Sequence, residues 1–245
     1  AAAPGVSVDE SAYVNLNYYG IPTNINIVKS LSLNGNKQFT DYGEYEKVTN
    51  MSNNVVPTMK DGAISWNLNN YNGKFYYECT PKKGTVVLPW NVDVSYSLNG
   101  TPIDASKLAG ASGLVQVDVK VTPNTKADIY YRNNMLLQMQ TIVDMSKASN
   151  VDAPGAQVQT IGNKKIIVFA ALPGEKDTFT LRIGTNSFET DGILLTMVPG
   201  TLKQMQDVKD LKEDIDTFRD SVNSIYDSTN ALLQTAENME SGLSQ

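Results

Sequence analysis

Apolar and polar residues alternate along most of the first 200 positions. Ile64, Trp66 and Leu68 fall on one side of a strand and Ala63, Ser65 and Asn67 on the other; Val115, Val117, Val119 and Val121 line one side of another. A period of two is that of a half-buried strand. The pattern predicts a first hairpin, with legs at 12–18 and 24–29 and a turn at Gly20-Ile21-Pro22-Thr23. It predicts a second around Asn69-Asn70-Tyr71-Asn72-Gly73 and a strand from Trp90 to Tyr96 that turns at Asn99-Gly100. Further strands are expected over 114–121, 135–143, 157–161, 165–171, 178–183 and 192–198, punctuated by Pro-Gly pairs. Residues 44–59 are patterned weakly and are assigned to an edge strand and loop. Asp104 is placed to cap a short helix over 105–109, with Gly110 as its stop. A boundary near Pro89 gives an N-terminal β domain, 1–89, and a second β domain, 90–200. The strand spacing of the second suggests an immunoglobulin-like sandwich. A sheet that takes strands from both units is equally compatible.

From Val208 the period changes to 3.5. Val208, Leu211, Ile215, Phe218, Val222, Ile225, Leu232, Ala236 and Met239 recur at alternating steps of three and four, with polar Thr229 keeping the step between Ile225 and Leu232. That spacing predicts a coiled-coil helix over 201–245, its repeat from Val208 to Leu243 roughly 50–55 Å long. Thr201-Leu202-Lys203-Gln204 after Pro199-Gly200 fits a capping box. The expected fold class is therefore mainly β, with two β units, at least one of them an immunoglobulin-like sandwich, followed by a long C-terminal α-helix of coiled-coil type. Such a stripe needs a partner helix, from another copy or another protein; the competing expectation lays it on the chain's own β domain.

Composition narrows the chemistry. There is no histidine, which removes the commonest general base and the usual imidazole zinc sites. The one cysteine, Cys79, reads as a small strand residue. Net charge is −6, concentrated after Thr201, and an acidic chain without a basic stripe argues against nucleic acid. The opening Ala1-Ala2-Ala3-Pro4-Gly5 looks like the start of an exported protein after leader removal. The expectation is an extracellular, cell-surface fragment whose membrane anchor lies outside it.

Three tyrosine doublets stand out: Tyr18-Tyr19, Tyr76-Tyr77 and Tyr130-Tyr131. Strand neighbours point to opposite faces, so one of each pair is free to meet a ligand. Tyr18, Tyr19, Tyr76 and Tyr77 are the candidate ligand-facing aromatics, a glycan the candidate ligand. Asn67–Gly73 resembles a calcium loop but lacks its acidic ligands. Asp41, Glu44 and Glu46 offer carboxylates without a visible cleft. Gly110–Gly113 lacks the ending of a phosphate loop. Lys120 and Lys165 are candidates for a lysine–asparagine crosslink. No catalytic residue, metal ligand or cofactor is predicted.

Three runs together resemble a known group. They are Trp90-Asn91-Val92-Asp93-Val94-Ser95-Tyr96-Ser97-Leu98-Asn99-Gly100, Lys107-Leu108-Ala109-Gly110-Ala111-Ser112-Gly113, and the segment after Met197-Val198-Pro199-Gly200. They resemble uncharacterised surface proteins of gut Firmicutes that carry a signal peptide, β-rich extracellular domains, a coiled coil and a C-terminal membrane helix. The resemblance implies a Gram-positive cell-surface setting. The expected function is that of a non-enzymatic structural or interaction protein, with the coil as stalk and the β head presented. A glycan- or protein-binding adhesin is the alternative, and a hydrolase on a β scaffold the third reading.

Overall fold

Sixteen strands occupy the alternating stretches in the computed structural model, which describes residues 5–201, 203–210 and 212–213. In chain order they are β1 (Ser7–Leu16), β2 (Pro22–Ser32), β3 (Gln38–Tyr42), β4 (Tyr45–Asn50), β5 (Thr58–Lys60), β6 (Ala63–Asn67), β7 (Lys74–Pro81) and β8 (Trp90–Leu98). There follow β9 (Thr101–Ile103), β10 (Gly113–Pro123), β11 (Met135–Asp144), β12 (Ala148–Asp152), β13 (Gln157–Ile161), β14 (Lys164–Ala171), β15 (Asp177–Thr185) and β16 (Ile193–Pro199). A 3-10 turn, Ala105–Lys107, starts where Asp104 accepts a hydrogen bond from the Ser106 N–H. Helix α1, Ile129–Asn134, is capped in the same way by Asp128.

All pairings are antiparallel. Eight strands form one long sheet in the order β13-β14-β11-β16-β1-β2-β7-β4. Five form a second, β12-β15-β10-β8-β9, and three a third, β3-β6-β5. The long sheet takes strands from both sides of Pro89, because the first strand pairs with the last: Ala12 lies opposite Met197 and Val14 opposite Leu195.

Two cores lie against this sheet. In the larger, Val14, Leu137, Met139, Ile167, Leu195 and Met197 meet Val115, Val117, Val119, Phe179 and Leu181 of the five-stranded sheet. Phe169 and Phe179 stack between the layers at 5.0 Å. In the smaller, Leu31, Phe75, Tyr77 and Cys79 meet Ile64, Trp66 and Leu68 near the three-stranded sheet. Trp66 meets Phe75 edge-on at 4.9 Å, an arrangement that satisfies the ring quadrupoles. Residues opposite one another in an antiparallel ladder share a face. Val14 pairs with Ile25, and Ile25, Ile27, Lys29 and Leu31 follow at period two along β2. Both cores therefore sit on the same face of the long sheet, which is sandwich-like along its length and open behind.

The turn between β8 and β9 shows why Asn99-Gly100 was required. Both residues have positive φ, 50° and 82°, as a two-residue hairpin turn demands. Gly192 is constrained further. Its φ is +95°, and a Cβ there would run into the backbone carbonyl of Leu16. It stands where β16 begins to pair with β1. Gly192→Ala is expected to cost about 1–3 kcal/mol from backbone strain alone, read as a lowered urea midpoint; an unchanged midpoint would refute the close approach.

The coiled-coil expectation is corrected. Among the described residues the helices are the three-residue 3-10 turn, α1 and helical residues 203–210 and 212–213, and none is a long coiled-coil helix. A 3.5-residue repeat states which side of a helix would be apolar. It does not supply the second helix that such a seam needs to be stable, and this single chain offers no long partner helix among its described residues. Val208 is half-buried. Leu211, Ile215, Phe218, Val222, Ile225, Leu232, Ala236 and Met239 lie outside the described residues. The chain divides into two units, Ala1–Thr201 and Leu202–Gln245.

Candidate functional site

A row of polar side chains crosses the smaller core. Glu10 of β1 lies opposite Lys29 of β2, and Lys29 opposite Tyr77 of β7, so the three project from one face in a line. Asp41, on β3 of the three-stranded sheet, reaches this line from the facing layer. Lys29 Nζ is 2.5 Å from Asp41 Oδ2 and 3.3 Å from Glu10 Oε1. The Tyr77 hydroxyl donates to the same Asp41 oxygen at 2.9 Å. The other oxygen, Oδ1, accepts the Tyr42 N–H at 2.9 Å. Tyr131, from α1, donates to Glu10 Oε2 at 2.9 Å. Lys29 Nζ also stands 5.1 Å from the centre of the Tyr45 ring, within reach of a cation–π contact.

The centre of the cluster is buried, while Glu10 at its edge is 28% exposed. The Lys29 side chain is 3% exposed and that of Asp41 15%. Burial alone pulls the Lys29 ammonium toward losing its proton; Asp41, Tyr45 and Glu10 outweigh it and hold its pKa above the usual lysine value. Burial raises Tyr77, and the Asp41 charge raises it further. Burial likewise pushes the Cys79 thiol up to about 12, so Cys79 is an inert core residue. Among the described residues no three His, Cys, Asp or Glu side chains converge as metal ligands.

The open face of the long sheet is different in kind. Thr196 lies opposite both Gln138 and Tyr13, and Tyr13 opposite Asn26, whose side-chain oxygen accepts from the Thr80 hydroxyl at 3.0 Å. Asn15 and Asn24 are paired beside them. The result is an uncharged block of amides and hydroxyls about one aromatic ring. Tyr13, Asn15, Asn24 and Gln138 are exposed.

The four aromatics named from sequence are not brought together. Tyr77 is fully buried and belongs to the ionic cluster, so it faces no ligand. Its neighbour Tyr76 is exposed on the opposite face, as strand alternation requires. Tyr18 and Tyr19 sit at the β1–β2 turn, which is held by Asn17, whose side chain accepts from the N–H groups of Tyr19 and Ile21. Their hydroxyls are 3.0 Å apart. Tyr18 also borders a cleft of about 290 Å³ with Phe188, Glu189, Thr190 and Asp191. Of the three carboxylates, Asp41 pairs with Lys29, and Glu44 pairs with Lys82 at 2.9 Å. Lys120 is exposed and Lys165 half-buried. Sequence reasoning missed Tyr13 as a site residue, although its alternation with Ala12 and Val14 marks it as outward-facing. It missed Lys29 because its partners come from three other elements.

No protein-family model matches the chain, and no curated protein matches it. Among the described residues no helix is long and apolar enough to cross a membrane.

Proposed function

We propose that this protein is a non-enzymatic interaction module presented at a bacterial cell surface, and that it holds an uncharged glycan on the open face of its long sheet. The observation that supports this reading is the row Gln138, Thr196, Tyr13 and Asn26. A sugar ring presents an apolar face to a tyrosine and hydroxyls to side-chain amides, and these residues supply both without a charge to desolvate. The extracellular setting draws on the resemblance to surface proteins.

Glycan-array screening followed by calorimetry tests the reading. Tyr13→Ala is expected to weaken the best glycan about tenfold, equivalent to roughly 1.4 kcal/mol. Tyr19→Ala, at the turn, is expected to leave affinity unchanged. No reproducible glycan binding would overturn the reading, and loss on Tyr19→Ala alone would place the contact elsewhere.

A further inference from the structure

The Lys29 cluster has more in it than an ion pair requires. A buried lysine is neutralised by one carboxylate, yet here each oxygen of Asp41 has its own donor and a second carboxylate is aimed at the same nitrogen. Lys29 Nζ and Asp41 Oδ2 are 2.5 Å apart. The carboxyl carbon is one bond further on, at most about 3.8 Å from the nitrogen, close to the separation of about 3–3.5 Å at which a nucleophile is poised to attack. The Lys29 side chain is almost fully buried and Asp41 largely so, and the pair is walled by Tyr45 and Tyr77, both half-buried or better. At rest the cluster favours the ammonium, as the raised Lys29 pKa requires; burial narrows its lead over the neutral amine–acid pair, which leaves no charge to solvate.

We propose that Lys29 and Asp41 condense spontaneously into an intramolecular amide, with Glu10 as the proton carrier. A proton first passes along the short hydrogen bond from Nζ to Oδ2, which leaves a free amine beside a carboxylic acid. The nitrogen lone pair then attacks Cγ. Negative charge develops on Oδ1, where the Tyr42 N–H already donates at 2.9 Å, the arrangement of an oxyanion hole. Glu10, at 3.3 Å from the nitrogen, takes a proton from it and returns it to the departing Oδ2, which also receives the Tyr77 hydroxyl. The N–C bond forms, the Cγ–Oδ2 bond breaks and one water leaves. Glu10 ends as the carboxylate it began as, held throughout by Tyr131. Nothing is oxidised or reduced. The product would bolt the three-stranded sheet to the long sheet across the smaller core, and it does not depend on the glycan reading.

The test is intact-mass measurement on the folded, full-length chain after denaturation, with fragmentation of its proteolytic peptides. The expected result is a chain lighter by one water and a branched peptide that joins Lys29 to Asp41. Lys29→Arg keeps the positive charge and is expected to show the full sequence mass; a water loss that survives in this variant comes from elsewhere, such as Asp61-Gly62, and overturns the proposal. Glu10→Gln, checked for native circular dichroism, is expected to stay at full mass; the linked mass in this variant would remove Glu10 from the reaction. Full mass in the folded natural chain, unchanged on prolonged incubation, would leave Lys29 and Asp41 as an ion pair only and overturn the proposal outright.

Discussion

Lys29→Met is expected to lower stability by about 3–5 kcal/mol, the cost of stranding a buried charge after its partner is removed. Methionine fills a similar volume, so little of that loss comes from a cavity. What remains is Glu10 and Asp41, on facing layers, with no cation between them. Asp41 is mostly buried and cannot recover its hydration, although Tyr77 and the Tyr42 N–H still donate to it. The proposed amide would add the loss of a closed loop to this figure, since the two residues are 12 positions apart. A triple variant, Lys29→Met with Glu10→Gln and Asp41→Leu, is expected to regain much of the stability. Removing a whole buried ionic group is far cheaper than breaking it. Urea unfolding of the two variants decides the matter: equal midpoints would mean that the charges contribute nothing specific.

Alkaline pH is expected to unfold the protein well before its exposed groups would require it. Tyr77, Cys79, Tyr96 and Tyr131 all have raised pKa values, with burial as the first cause of each. In the folded chain Cys79, Tyr96 and Tyr131 hold their protons to about 12. The unfolded chain releases them near the ordinary values, about 8.5 for cysteine and about 10 for tyrosine. Above those values the folded state binds more protons than the unfolded one, so stability falls as pH rises. The contribution of these groups is complete below about pH 8.5 and is lost between there and about pH 12, at up to roughly 1.4 kcal/mol per group per pH unit. Urea midpoints at about pH 8, 10 and 11 should decline with growing steepness, and a second portion of tyrosinate absorbance, beyond that of the exposed tyrosines, should appear together with unfolding. A flat midpoint to pH 11 would mean that these hydroxyls reach solvent.

The strands were legible because their burial pattern is local. The valines of β10 all point inward, and Ile64 and Trp66 do so in β6, as period two foretold. The Asp104 cap was legible for the same reason, although the turn it opens is 3-10 and three residues long. Helix α1 escaped notice: Ile129-Tyr130-Tyr131 reads as strand by propensity, and only the Asp128 cap argues otherwise. Residues 44–59 were patterned weakly because β4 buries none of its side chains fully and β5 is three exposed residues long. The buried cluster was out of reach. Lys29 looks like any strand lysine until the register sets Glu10 beside it and the three-stranded sheet brings Asp41 over it. Asp41 itself drew attention as one of several carboxylates, whereas its partner is a lysine on another sheet. The C-terminal repeat misled for the opposite reason. Its periodicity was strong, but a repeat describes the arrangement of side chains and carries no information on whether a partner is at hand.

The pairing of β1 with β16 has a consequence for how the chain is made. The smaller core is assembled from residues 31–79, all of which are synthesised before β8 begins. The larger core needs Ala12 and Val14 as well as Leu195 and Met197, so it must wait for the final strand to emerge. One end of the molecule can set while the other is still being translated, and the earliest-born strand stays half-zipped until the latest arrives to close over it.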